Sequence, residues 1–174
     1  MLSGKFRNIL TVILLVLSLT AGAAAPDVLV HDTNGGKHNL NEYIGKGQWT
    51  VAVLWAHDCH VCNEEIHEMT FFHSDSKTRD ARVLGISVDG LAGREKAAGF
   101  IRKHELEFPN VIIEPRQEEI MKLGGGKFVG TPTFYIFSPD GELVARSVGA
   151  ISGDEIREFI DSQKAARSPA KPAS

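Results

Sequence analysis

Cys59 and Cys62 are the two cysteines of this 174-residue chain, and they fall in the stretch WAHDCHVCNEEI with only His60 and Val61 between them. Glu65 follows in the same stretch, and His57 and His67 lie close by. Thiols at this spacing support a reversible dithiol/disulfide couple, a permanent bridge, or a pair of soft metal ligands. A permanent bridge closing so short a loop removes little chain entropy, and a domain of about 150 residues buries a core without a staple. A metal carrier would draw Zn²⁺ or Cu⁺ ligands from His57, Cys59, His60, Cys62 and His67. That set has no second Cys-x-x-Cys, and His57 and His60 flank a turn from which one of them at most can swing onto a shared ion. Haem attachment is excluded, because Asn63 rather than histidine follows Cys62. The redox couple is the favoured chemistry, with metal carriage as the alternative.

The neighbouring residues are suited to positioning such a couple. WTVAVLW, residues 49–55, is an apolar, β-branched run fit for a buried parallel strand, and CNEEIHEMTFF, residues 62–72, carries helical spacing at Ile66, Met69 and Phe72. The pair therefore lies at a strand-to-helix junction. Free backbone N–H groups and the positive end of the helix dipole favour a thiolate there, which makes Cys59 the expected nucleophile. Cys62, one turn further in, is the expected resolving thiol. A protonated His60 would stabilise the Cys59 thiolate and push the couple towards oxidation, an effect expected on the order of 30 mV.

The order Trp55-Ala56-x-x-Cys59-x-x-Cys62, then Gly130-Thr131-Pro132-Thr133 before TFYIFS, then a PDG turn into ELVARSVG resembles the thioredoxin-fold oxidoreductases. Within that superfamily the chain is most similar to the exported TlpA/ResA/CcmG type. The resemblance implies an α/β thioredoxin fold: a central mixed sheet flanked by helices, with an extra N-terminal strand pair and a strand–helix insertion. It also implies a cis Thr131–Pro132 bond facing the cysteines, with Trp55, Thr131 and Pro132 in contact with substrate. Glu65 stands where cytochrome-maturation members carry an acidic residue, and a desolvated carboxylate there would relay the proton of a buried thiol. On this ground a reductase, acting in cytochrome c maturation or a related process, is expected over an exported dithiol oxidase. Val61 departs from the proline usual in the subgroup. A peroxidase of this fold would need a lone activated cysteine with nearby Thr and Arg, which this neighbourhood lacks.

Elsewhere, DVLVHDTNGGKHNL reads as a strand pair around Asn34-Gly35, with a short turn or helix over residues 39–43. ARVLGISVD is a second buried strand, and helices are expected over 93–104, 118–123 and from SGDEIREFIDSQ. The last of these has Ser152 or Asp154 as its cap and Ile156, Phe159 and Ile160 as its buried face. His31, His38, His73 and His104 are expected at the surface. Residues 1–25 read as an export signal: Lys5 and Arg7 precede an apolar stretch that ends in Ala23-Ala24-Ala25. If uncleaved, that segment would serve as a membrane anchor. The domain organisation is then 1–25 signal, 26–165 thioredoxin-like domain and 166–174 disordered tail.

Export places the chain in a periplasmic, disulfide-permissive setting. The expected partners are protein thiols and disulfides together with a membrane-embedded electron donor, and no cofactor is called for. A formal net charge of -3 gives no basic footprint for nucleic acid. GGGKF lacks the Lys-Ser/Thr of a phosphate loop.

Overall fold

A computed structural model describes residues 25–76 and 80–167 of the chain. Its strands are β1 (Leu29–His31), β2 (Lys37–Asn39), β3 (Trp49–Trp55), β4 (Ala81–Ser87), β5 (Asn110–Ile112), β6 (Thr133–Phe137) and β7 (Leu143–Val148). Its α-helices are α1 (His60–Ser76), α2 (Arg94–Lys103), α3 (Gln117–Met121) and α4 (Gly153–Arg167). The strands form one mixed sheet in the order β2-β1-β5-β4-β3-β6-β7. β3 and β4 are parallel, as are β4 and β5, while β6 runs antiparallel to both β3 and β7. This is the thioredoxin architecture, with the β1–β2 hairpin added beyond β5 at one edge.

β3 is buried along its whole length because both faces of the sheet are covered. Its side chains alternate with period two. Trp49, Val51, Val53 and Trp55 enter a core with Cys62, Ile66 and Met69 of α1, Phe100 of α2, and Ile156 and Ile160 of α4. Ala52 and Leu54 face the opposite core, shared with Leu84, Ile86, Tyr135 and Phe137 and closed by Val28, Val30, Leu40 and Ile44. Each fully buried aliphatic side chain contributes roughly 1.5–3 kcal/mol. The N-terminal segment is therefore the cover of this second core.

Local sequence sets the ends of the elements. The Asp32 carboxylate accepts the N–H groups of Asn34 and Gly36, both at 2.8 Å, and Gly35 supplies the positive φ of 90° that turns β1 into β2. Ser152, not Asp154, caps α4. Its hydroxyl accepts the Glu155 N–H at 3.2 Å, and the Glu155 carboxylate accepts the Ser152 N–H at 2.9 Å. Those bonds hold the Glu155 carboxyl below the usual carboxylate range.

Two histidines expected at the surface are buried. His73 falls on the inward stripe of α1 with Cys62, Ile66, Met69 and Ser76, and its Nδ1 accepts the Val83 N–H at 3.1 Å. His31 is enclosed at the end of β1, opposite Ile112 of β5. Phe159 is half-buried against the core that Ile156 and Ile160 enter. Helix α4 continues through Arg167, two residues beyond the expected end of the domain at 165. Residues 1–24 of the expected export signal and residues 168–174 of the tail lie outside the described residues. Among the described residues, no helix is long and apolar enough to cross a membrane.

Candidate active site

β3 ends at Trp55, and the short loop through Ala56, His57 and Asp58 delivers Cys59 to the start of α1. Cys59 and Cys62 are joined as a disulfide, with Cα atoms 5.2 Å apart. Cys59 is half-buried, whereas Cys62 is 1% exposed and belongs to the core packed under α1. The Cys62 backbone N–H points at the Cys59 sulfur at 3.1 Å. It is one of the otherwise unpaired donors of the first helical turn, and it would stabilise negative charge on that sulfur. The Cys59 sulfur also lies 3.5 Å from the Thr131 carbonyl oxygen.

Thr131 reaches this position because β6 lies beside β3, with Thr133 opposite Leu54, so the segment before β6 meets the loop after β3. The Thr131–Pro132 peptide is cis. The Thr133 hydroxyl donates to the Gly130 carbonyl at 2.6 Å, and the Gly149 N–H donates to the Pro132 carbonyl at 2.9 Å, pinning the loop on both sides. Pro132 is buried and Thr131 half-buried.

Trp55 requires a correction. It is 0% exposed, so it cannot touch a substrate. As the last residue of β3 it shares the face of Trp49, Val51 and Val53, stacks on Phe100 with centroids 4.4 Å apart, and donates its indole N–H to Asn110 Oδ1 at 3.2 Å. A Cβ on Gly85 would overlap Asn110 Oδ1, so the residue opposite Val53 has to be small. Trp55 anchors the strand under the site.

Glu65 is a second correction. It lies on the exposed surface of α1 beside Glu64, while the buried stripe of the helix is Cys62, Ile66, Met69, Phe72, His73 and Ser76. A carboxylate left in water lacks the desolvation that relay to a buried thiol requires.

The histidines do not gather with the two sulfurs as a set of metal ligands. His60 is 84% exposed and turns to Glu64 at 3.3 Å, and His67 turns to Glu68 at 3.5 Å. His57 turns to Asp89, with Nδ1 2.6 Å from Oδ1. The alternative metal-carrier set drawn from His57, Cys59, His60, Cys62 and His67 is not assembled among the described residues. The one group of ligand-type atoms gathered among the described residues is His57, Asp58 and Asp89, within 4.8 Å of one another.

Sequence reasoning missed Asp89, Ser87 and Asn63. Asp89 follows the carboxyl end of β4, the strand beside β3, where open α/β sheets place their chemistry, and this was the available signal. Asn63 donates its side-chain N–H to the carbonyls of His57 at 3.2 Å and Cys59 at 2.9 Å. Its Oδ1 accepts from Lys103 Nζ at 2.8 Å and His104 Nε2 at 3.1 Å. Burial, with the positive charges of Lys103 and His67 adding to it, pushes His104 below the usual imidazole range. The neutral ring then bonds Asn63 as an N–H donor.

Comparison with known proteins agrees with this geometry. The sequence model of the AhpC/TSA family matches residues 21–146. Thiol-disulfide oxidoreductase ResA of Bacillus subtilis (strain 168) is 25% identical over 146 residues, covering 83% of this chain and 76% of the relative. ResA of Geobacillus kaustophilus is 27% identical over 150 residues, covering 84% and 80%. Among solved structures, a DsbF homologue from Corynebacterium diphtheriae superposes with a TM-score of 0.68 at 20% identity, over 80% of this chain and 86% of that one.

Proposed function

The chain belongs to the AhpC/TSA family and is a thioredoxin-like thiol–disulfide oxidoreductase, and we propose that it works as a reductase of exported protein disulfides. Cys59, half-exposed at the helix start, is the thiol that meets substrate, and the buried Cys62 resolves the mixed disulfide. The Thr131 backbone beside Cys59 is the edge on which an extended substrate segment lies. Apolar residues 9–19 behind Lys5 and Arg7 support export to the periplasm, with anchoring if the segment is retained. An exported reductase needs a membrane-embedded donor to re-reduce Cys59–Cys62, and cytochrome c maturation or a related process is the proposed setting.

The charge around Cys59 supports this direction of electron flow, although its own effect on the midpoint is only on the order of 10 mV. Asp58, the residue before it, is exposed and acidic, and the His60 ring is exposed and turned to Glu64. A negative neighbour disfavours the thiolate, and a less stable thiolate makes the couple more reducing. The decisive measurement equilibrates the purified protein in graded dithiothreitol redox buffers. A midpoint nearer the roughly −270 mV of thioredoxin than the roughly −120 mV of strong oxidants is expected. A value above about −150 mV, with oxidation of reduced substrate outpacing disulfide reduction, would make the protein an oxidase instead.

A further inference from the structure

Asp89 is a buried carboxylate at the edge of the exchange site that the chemistry above leaves unused. Its side chain is 6% exposed. It accepts the Ser87 hydroxyl at 2.6 Å on Oδ2, the His57 backbone N–H at 3.2 Å on the same oxygen, and the His57 ring at 2.6 Å on Oδ1. An ionised carboxylate only accepts, so the hydrogen between Asp89 and His57 sits on Nδ1. In the neutral ring Nε2 is then the lone-pair nitrogen, and no described residue bonds to it. The ring is 29% exposed, and its Nδ1 edge is the one turned to the buried carboxylate. Asn63 binds the carbonyls of both His57 and Cys59, which holds the imidazole and the nucleophile in one frame.

Thiol–disulfide exchange must move protons as well as electrons, and neither the exposed Glu65 nor the Glu64-paired His60 is placed to move them. We infer that His57 is the proton donor and acceptor of the exchange site and that Asp89 is its positioning residue. The inference rests on the exchange activity proposed above. The Cys59 thiolate attacks one sulfur of the substrate disulfide. The substrate S–S bond breaks, its electron pair leaves on the other sulfur, and the His57 imidazolium protonates that sulfur. The Cys62 thiol releases its proton to solvent, His57 takes up a proton from water, and the Cys62 thiolate attacks the Cys59 sulfur. The mixed disulfide breaks, the electron pair leaves on the second substrate sulfur, and His57 gives its proton to that sulfur. Two electrons and two protons pass to substrate, and the protein ends as the Cys59–Cys62 disulfide. The charged or titratable groups around His57 are Asp58 next to it in the chain, Asp89 from beyond β4, and, through Asn63, Lys103 at the end of α2 and His104, which caps that helix.

The test follows reaction of the reduced full-length chain with oxidised glutathione from pH 5 to 9, by stopped-flow tryptophan fluorescence with a chelator present. His57→Asn retains an N–H donor for Asp89 but has no titrating nitrogen. Its rate constant at pH 7 is expected to fall about tenfold to a hundredfold, at or just below the usual span for a lost general acid–base. The dependence of the rate on pH flattens relative to wild type, and added imidazole restores part of the rate. Asp89→Asn fixes the wrong tautomer and gives a fall of the same order. A proton relay speeds both directions alike, so the equilibrium constant with glutathione stays within about threefold of wild type. A rate within about threefold of wild type in His57→Asn overturns the inference, as does a slow variant with a shifted equilibrium constant and no rescue by imidazole. Should Asp89→Asn fail to fold, His57→Asn alone decides. A wild-type chain that exchanges nothing with glutathione defeats the exchange reading itself, whatever the variants do.

Discussion

Replacing Asp58 by asparagine and His60 by glutamine perturbs the Cys59 thiolate from its two sides, with opposite signs. Both side chains are exposed, and His60 is 84% so. A unit charge on an exposed neighbouring side chain interacts with the sulfur by roughly 0.2–1 kcal/mol. Physiological salt holds it to the lower part of that range. At about 30 mV per 1.4 kcal/mol for a two-electron couple, each substitution moves the midpoint by roughly 5–15 mV. Asp58→Asn stabilises the thiolate and with it the reduced form, so the potential rises and the Cys59 pKa falls. His60→Gln does the reverse, and Glu64 places its shift at the low end. The ~30 mV expected from the position of His60 in the sequence assumed a closely held charge, and exposure with a carboxylate partner removes that assumption. Midpoints in dithiothreitol buffers and thiolate absorbance against pH measure both quantities. Shifts of the same sign in the two variants, or about 30 mV or more from His60→Gln alone, would refute the electrostatic argument.

Gly85→Ala should lower the unfolding free energy of the oxidised protein by about 2–4 kcal/mol in urea melts. The new Cβ displaces the Asn110 amide and leaves the buried Trp55 N–H without an acceptor. Cys62→Ser should trap substrates on Cys59 as mixed disulfides visible on non-reducing gels, and trapping by Cys59→Ser instead would reverse the two roles. His38 is raised above the usual imidazole range by its hydrogen bond to Asp32 and by Glu42. Its contribution is therefore complete below about pH 6.5 and is lost as pH rises through the higher folded value. The Tm of His38→Gln should accordingly vary less than that of wild type between pH 6 and 8.

The fold was legible wherever hydrophobic pattern and turn chemistry agreed. WTVAVLW became the central strand, the Cys59–Cys62 junction opened a helix, and Asn34-Gly35 turned the added hairpin. The errors came from reading residues by their place in a motif rather than by their face. Trp55 stands in a redox signature, but strand parity puts it with Trp49, Val51 and Val53 under the helices. His73 lies seven residues after Ile66 and four after Met69, a helical spacing that predicts burial more directly than its polarity predicts exposure. Glu65 took its expected role from resemblance alone, and the first turns of α1 leave it in water. The His57–Asp89 contact had no local signature, because it joins residues 32 apart across the ends of two parallel strands.

The same contact bears on how the site can change redox state without losing its shape. When the disulfide opens, Cys59 gains a charge at the mouth of α1, and a loop held only by the S–S bond would be free to move. Here the loop has other anchors. Asn63 ties the His57 and Cys59 carbonyls to Lys103 and His104 at the C-terminal end of α2, and Asp89 ties the His57 backbone and ring to the end of β4. None of these bonds involves a cysteine sulfur. On the other side of the sulfur, the Thr131 carbonyl belongs to a loop fixed through Thr133 and Gly149. Reduction therefore changes the charge on one sulfur inside a frame whose hydrogen bonds stay in place. Such preorganisation is what exchange in both directions at one site requires, because neither redox state must rebuild the loop before it reacts.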